Sequence, residues 1–442
     1  MTAEIVIMNS QAVAMAADSA VTIRTSDERG TVFNTANKVF SLSKYAPVGI
    51  MISGNATIMD IPWETVIKLY RERLGKKRFD TLEGYCDNFF EFIDNFELVD
   101  KCEQRFVVQL ANLIFKELKE ELDAWLEENQ DNKKIPQKSK TASHLKFIIL
   151  RHQTGVERLS NQHGVHDENS LAELHEKYKG DIAEQAETFF GEYELPEKEK
   201  EKLVQIIIHW VNIIHLHPAF SSEIVIVGFG EKEYFPQCRS FHVGGIVHKK
   251  TIRSRNAEAF GIGPECGSRI ISFAQSSAVR TFLHGVSPDL SESLDESLGE
   301  IFGKDGSVAR EMREEIVARL GLTANDNSGI REIIENACGR AYADAIRRFR
   351  VESKTNHADL IAGTAVYFNK DELAQMARTL IHLESFRKRV VMDEETVGGP
   401  IDVAVITKGD GFIWMERKHY FSPELNHHFF KNYFSHNETQ GD

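Results

Sequence analysis

The first fifty-six residues are built from apolar runs too short for helices and separated by tight polar breaks, which leaves few folds open. IVIM (Ile5 to Met8) is followed by the polar turn Asn9-Ser10-Gln11 and then by AVAMAADSAVT (Ala12 to Thr22). Two such runs joined by a short break read as a β-hairpin whose strands are buried on both faces. NKVFSL (Asn37 to Leu42) and VGIMISGNA (Val48 to Ala56) repeat the pattern. A sheet is therefore predicted, with Thr2, Asp18 and Lys38 each at a strand edge of it.

Those three residue types suit one chemistry. Met1 precedes a small β-branched residue, the context in which methionine is usually trimmed, so Thr2 is expected to carry a free α-amine. A Thr hydroxyl is a weak nucleophile, and a terminal Thr has its own amine within reach as a base. That amine titrates near about 7.7 to 8.0, so an appreciable part is neutral at pH 7. Lysine starts near about 10.4, and neutralising Lys38 at pH 7 takes a shift of some ~3 units, or ~4 kcal/mol. A carboxylate such as Asp18 opposes that shift. Lys38 is accordingly read as a proton relay or positive stabiliser, with the α-amine or a water completing the proton path. Taken singly, each residue has an ordinary structural use: Asp as a turn former, Lys as a solvated strand-edge gatekeeper.

TAEIVIMNSQAVAMAADSAVT, NKVFSL and MISGNA, in that order and at these spacings, resemble the N-terminal segment of proteasome β-subunits and of the related bacterial heat-shock-locus peptidase. In that family an N-terminal Thr attacks the peptide bond, assisted by an acid at the end of the second strand and a Lys on the third. The resemblance gives these roles to Thr2, Asp18 and Lys38. Thr2 to Asp18 fits without a gap, while Lys38 requires extra residues in the polar turn Thr25 to Thr35, where added loop costs little. It implies an α+β fold, the four-layer αββα sandwich of N-terminal-nucleophile hydrolases. It also implies an oxyanion held by a backbone N–H near Met51 or Ile52, and a substrate side lined by Val21, Thr22, Phe40, Gly49 and Ser53.

Two later segments extend the resemblance. In SRIISFAQSSAVRTFLHGV (Ser268 to Val286) a strand breaks into a helix, and Ser276 or Ser277 falls where the family's Gly-Ser-Gly turn supplies a Ser near the terminal amine. The flanking glycines are absent, and an N-cap serine is the structural alternative. MDEETVGGPIDVAVITKGDGFIWM (Met392 to Met415) resembles the closing segment, in which an Asp and a Ser three residues later bond to the reacting Thr. Asp393 and Thr396 keep that spacing if one extra residue precedes Gly398. Without it the positions become Glu394 and Val397, and Val397 has no donor. Asp410-Gly411 marks the turn of the last hairpin.

The organisation predicted along the chain is a proteasome-like core in three pieces with two insertions. Residues 1–97 carry the first strands and two covering helices, Ile58 to Gly75 and Phe79 to Phe96, the latter capped by Asp80 or Thr81. Residues 98–221 read as a helical insertion with a polar loop near Gln130 to Ser143. Residues 222–286 return to strands, with EIVIVGFG opening a hairpin. Residues 287–369 form a second insertion, acidic and solvated at first and helical later. Residues 370–420 supply a final helix, acids first and bases last as its dipole prefers, and the closing hairpin, leaving 421–442 as a tail.

Composition narrows the function classes. The chain has 442 residues, and 53 basic against 67 acidic residues leave a net charge of −14, which argues against a nucleic-acid binder. Cys86, Cys102, Cys238, Cys266 and Cys338 are scattered without a C-x-x-C pair, so reduced thiols are expected and a disulfide frame or zinc site is not. His209, His215 and His217 lack acidic or Cys partners at metal-ligand spacing and read as ordinary histidines. No cofactor is called for. No signal peptide opens the chain and its apolar runs are too short to span a membrane, so a cytoplasmic protein is expected. Three functions fit: a threonine peptidase or amide hydrolase working through an acyl-enzyme on Thr2; a catalytically silent ring or scaffold subunit; and an N-terminal-nucleophile amidase for a small amide, with the insertions as a lid. The resemblance implies a peptide or protein substrate, a homo-oligomeric ring and an ATPase unfoldase as partners.

Overall fold

The computed structural model describes residues 3–24, 30–33, 36–96, 99–129, 137–256, 260–274, 276–321, 324–391, 398–419, 421–428 and 431. It divides into two compact units: Met1–Ala36, Ile262–Val405 and Ile413–Asp442 form the first, Asn37–Gly261 and Ile406–Phe412 the second. All the named strand pairings are antiparallel and helices alternate with them in long blocks, so the chain is α+β.

The N-terminal hairpin forms as predicted from β1 (Ala3–Asn9) and β2 (Ala12–Ala17), in register from Glu4 opposite Ala17 to Met8 opposite Val13. Asn9 closes its turn by accepting the N–H groups of Gln11 and Ala12. In a second hairpin β3 (Val21–Arg24) pairs with β4 (Gly30–Phe33), and β4 falls within the stretch Thr25 to Thr35 that reads as a polar turn. Then β5 (Val39–Ser41) pairs with β6 (Val48–Gly54). Short strands β7 (Thr57–Ile58) and β8 (Ile61–Pro62) flank a turn in which Met59 and Asp60 adopt left-handed φ values of 50° and 67°. The following helix, α1 (Trp63–Leu74), therefore starts after Pro62 and not at Ile58. In α2 (Leu82–Asp94) the Thr81 side chain accepts the Gly84 N–H and caps the helix.

Four helices fill the first insertion: α3 (Val99–Glu128), α4 (Gln137–His163), α5 (Glu168–Phe190) and α6 (Glu197–Asn212). Part of the expected loop Gln130 to Ser143 is helical, because Leu145, Ile148 and Ile149 give α4 a buried stripe that its polar first turns do not advertise. Strands β9 (Ser222–Gly228), β10 (Gln237–Val247), β11 (Lys250–Arg255), the short β12 (Phe260–Gly261) and β13 (Ser268–Ala274) follow. The chain continues with α7 (Ser277–His284), α8 (Pro288–Phe302), α9 (Ser307–Leu320) and α10 (Ala324–Ser353). A π-helical turn at Lys354–Ala358 joins α10 to α11 (Asp359–Ala365). The acidic run that reads as a solvated segment is thus α8: Ser287 caps it by accepting the Leu290 N–H, Pro288 sits in its first turn and Asp289 suits its dipole. Helix α12 (Lys370–Val390) opens with a complete capping box between Asn369 and Glu372. Finally β14 (Asp402–Thr407) and β15 (Gly411–Glu416) make the closing hairpin, with Gly411 at φ 77°.

In the first unit the sheet order is β13-β1-β2-β14-β15. Its helix-facing core joins Ile5 and Ile7 of β1, Ala12, Ala14 and Ala16 of β2, and Val403 and Val405 of β14 to Leu373, Ala377, Leu380 and Ile381 of α12. Alanine at every second position of β2 gives α12 a flat seat, and the alternate residues Val13, Met15 and Ala17 are buried too. In the second unit the order is β11-β10-β9-β6-β5, with β12 on β10. There Val48, Ile50 and Ile52 of β6 and Ile224 and Ile226 of β9 pack with Trp63, Tyr85, Phe89 and Phe90 of α1 and α2, and the same core runs on into α3–α6. Gly54, at φ 76°, closes the end of β6 where a Cβ would lie 2.6 Å from the Ser221 carbonyl. The hairpin ending at Asp18 and the strand entered at Lys38 belong to different sheets, not to one. The interposed hairpin β3–β4 carries the chain from the first sheet to the second. Among the described residues no helix is long and apolar enough to cross a membrane.

Candidate functional site

Asp18 stands just past β2 and is 1% exposed. Its Oδ1 accepts the Ala3 N–H at 3.0 Å, and its Oδ2 accepts the N–H of Ala20 at 3.2 Å and of Gly398 at 2.9 Å. The backbone is strapped around it: Asp18 N–H donates to Ala3 O at 3.2 Å and Ser19 N–H to Gly398 O at 3.2 Å, while Ser19 Oγ donates to Pro400 O at 2.5 Å. A carboxylate removed from water in this way must be met by donors, and here backbone amides from three chain segments supply them. The chemistry on offer is that of a fixed anion beside the residue that follows Thr2. Thr2 itself lies outside the described residues, as do Asp393 and Thr396 and their alternatives Glu394 and Val397.

In the second unit Lys38 precedes β5 and is 4% exposed. Lysine is almost never so buried without a partner or a task. The Lys38 carbonyl accepts the Ile52 N–H at 3.0 Å, so one of the two expected oxyanion donors is already engaged in the β5–β6 ladder. Val39 faces Met51 across that ladder and Met51 faces Val225 on the other side, leaving Met51 in the interior of the sheet.

The residues expected to line the substrate side divide between two faces. Gly49, Met51 and Ser53 alternate along β6 away from the helix-packed core, whereas Phe40 and Ile52 are part of that core. A period of two makes this unavoidable once Ile50 and Ile52 face α1 and α2, and Phe40, opposite Ile50, lies on that core face. Ser53 is 4% exposed and its Oγ lies 3.5 Å from Glu223, which also accepts the Ser240 hydroxyl at 2.9 Å. Val21 and Thr22 are in β3, and their side chains are outside the described set.

No protein-family model matches this chain, and no curated protein matches it. Among solved structures, a mutant of Anbu from Hyphomicrobium sp. strain MC1 aligns over 100% of this chain and 99% of its own, at 8% identity and a TM-score of 0.27. That is at most a distant relationship.

Around the serine candidates, sequence reading missed the residue that organises the turn. Ser276 is the N-cap of α7 but its side chain makes no capping bond. Instead Glu384 of α12, 0% exposed, takes the Ala278 and Val279 N–H groups on Oε2 at 2.7 and 3.3 Å. Ser277 Oγ bonds to the Arg387 guanidinium. Because Ala3 faces Ala274 across β1 and β13, this Glu384-capped turn continues from the strand that pairs with the start of the chain. The signal was present: Glu384 follows Leu373, Ala377 and Leu380 on the apolar stripe of α12, and an acid there needs a partner.

Of the three histidines in this stretch, His217 Nε2 lies 3.5 Å from Glu117, and His209 and His215 are shifted by burial. His215 is 2% exposed, neither ring nitrogen has a hydrogen-bond partner, and burial, with His242 and His163 nearby, pushes its pKa down to about 4. His209 is lowered by burial as well. Among the described residues no cluster of His, Cys, Asp or Glu could hold a metal ion.

Proposed function

We propose that this chain is an amide-bond hydrolase of the proteasome-like type. Thr2, exposed by loss of Met1, attacks the amide carbonyl carbon through its hydroxyl oxygen; the C–N bond breaks, the amine leaves with the proton given up by the hydroxyl, and water then hydrolyses the resulting ester, releasing the acid and restoring the Thr2 hydroxyl. Asp18 fixes the backbone next to the nucleophile, and Lys38 supplies positive charge or relays the hydroxyl proton. The observation that carries this reading is the Asp18 cradle, in which the carboxylate accepts the N–H of Ala3, the residue adjoining Thr2, and of Gly398. Burial of Lys38 supports it further. A four-layer sandwich, a peptide substrate, a ring assembly and an ATPase partner belong to the same proposal. A silent ring or scaffold subunit is the second reading, favoured by one observation: the Ile52 N–H is occupied by the Lys38 carbonyl and cannot serve an oxyanion unless that bond opens.

Intact mass and peptide mapping of untagged protein, before and after a peptide epoxyketone, test the proposal. That reagent needs a hydroxyl and a free α-amine on one residue. Loss of Met1 with an adduct on Thr2, abolished by Thr2→Ala and Lys38→Ala, is expected. Complete retention of Met1 sinks the catalytic reading and leaves the scaffold.

A further inference from the structure

The first unit contains a cavity of about 610 Å³ walled by the end of α7, the first turns of α8 and the junction of α10 with the π-helical turn. Its size is that of a small-molecule site, roughly 300 to 1,000 Å³. Its charges do not balance. Arg280, Arg350 and Lys354 line it against two carboxylates, Glu292 and Asp295. Asp295 is already engaged, by Arg350 Nη2 at 3.0 Å and the Tyr342 hydroxyl at 2.5 Å. Among the described residues no carboxylate forms an ion pair with Arg280 or Lys354. The excess positive field is felt nearby: burial first, then Arg280, holds the His284 imidazole below its ordinary range. The rest of the lining includes an apolar wall of Val286, Pro288 and Phe349.

The wall carrying the cations is fixed in place. Ser353 Oγ donates to the His284 carbonyl at 2.7 Å. Gly285, at φ 73°, lies so close to the His357 ring that a Cβ would come within 2.8 Å of it. Lys354 is the first residue of the π-helical turn, a rare local widening that frequently occurs at functional sites.

We propose that this cavity binds a small organic anion, a phosphate or carboxylate on an apolar body, with its charged group between Arg280 and Lys354 and its body against Phe349, Val286 and Pro288. A guanidinium and an ammonium without counter-ions offer charge-assisted donors to either oxyanion, and the apolar wall selects for a ligand that is more than an inorganic ion. This site is separate from the Asp18 cradle and does not depend on hydrolase activity.

Calorimetry and ligand-observed NMR on the full chain test it, with phenyl phosphate and benzoate as probes, benzamide as the uncharged comparator and inorganic phosphate as the anion without a body. Saturable binding of phenyl phosphate or benzoate is expected, with benzamide and inorganic phosphate weaker; which aromatic anion binds tighter identifies the headgroup. The double substitution Arg280→Gln with Lys354→Gln removes two exposed charges and should weaken binding at least about tenfold, while Glu292→Gln, which removes the remaining carboxylate, should tighten it. Absence of saturable binding by both aromatic anions, or equal binding by wild type and the double variant with unchanged thermal unfolding, overturns the proposal.

Discussion

Replacing Asp18 with Asn keeps the shape of the side chain and removes one of its two acceptor oxygens. The carboxylate receives Ala3 N–H on one oxygen and Ala20 and Gly398 N–H on the other. An amide that keeps its oxygen toward Ala20 and Gly398 turns its NH₂ toward the Ala3 donor; flipped, it confronts two donors. The better orientation loses one bond to a charged acceptor and leaves Ala3 N–H facing another donor at a site 1% exposed. With about 1.5–3 kcal/mol for the lost bond and about 1–3 kcal/mol for the orphaned donor, Asp18→Asn should cost about 2.5–6 kcal/mol. That is a large part of the ~5–15 kcal/mol that holds an ordinary domain folded. Urea unfolding of wild type, Asp18→Asn and Asp18→Ala gives the stability, and amide exchange at Ala3 and Gly398 reports the bonds directly. A change below about 1 kcal/mol with both amides equally protected would refute the cradle. The magnitude also bears on enzymology: lost activity in Asp18→Asn establishes a chemical role only if measured where the variant is still folded.

The remaining predictions are local. Glu384→Ala should cost about 2–4 kcal/mol in urea unfolding by orphaning Ala278 and Val279 N–H, whereas Glu384→Gln keeps an acceptor and should lose less than half as much. Because His215 binds its proton only near pH 4 when folded but near about 6.5 when unfolded, the unfolded state holds more protons between those values and stability falls as pH is lowered through that window. His215→Leu should flatten the slope there by up to about 1.4 kcal/mol per pH unit, and an unchanged slope refutes the buried neutral ring. Asn369→Ala should remove the α12 capping box at about 1 kcal/mol, read from the urea midpoint. Gly244→Ala should destabilise by at least about 2 kcal/mol in thermal unfolding, since its Cβ would fall 2.5 Å from the His215 backbone nitrogen and neither backbone can yield cheaply.

What could be read in the sequence was whatever depends on short-range pattern. The β1–β2 hairpin follows from two apolar runs around Asn9-Ser10-Gln11, α2 from the cap candidates Asp80 and Thr81, and α12 from the order of its charges. Two kinds of feature escaped. Turns that rely on unusual backbone, such as Met59 and Asp60 at positive φ, delayed α1 by five residues without any Gly to announce them. Assignment to a sheet escaped as well: nothing local to β2 or β5 names its sheet, and only long-range pairing sends one to β14 and the other to β6. At the candidate site Asp18 and Lys38 could be picked out by residue type and position, but the split of Phe40 from Gly49 and Ser53 needed the face of β6 to be known. Glu384 was legible in principle, as a carboxylate on an apolar helical stripe.

The ordinary use of an Asp after a strand is to fold back on its own chain, and Asp18 does that when it accepts the Ala20 N–H two residues on. A turn former needs nothing more. Two further bonds reach 15 residues back to Ala3 and 380 residues forward to Gly398, and a local turn gives no reason for either. Both additional donors belong to segments that the proteasome-like reading brings to the nucleophile: the first residue after Thr2, and the glycine pair that follows Asp393 and Thr396. Desolvating a carboxylate costs several kcal/mol unless donors converge on it, and an exposed turn would have avoided that cost altogether. The geometry of Asp18 therefore holds the amide of Ala3 and the amide of Gly398 together, which is more than a residue ending a strand needs.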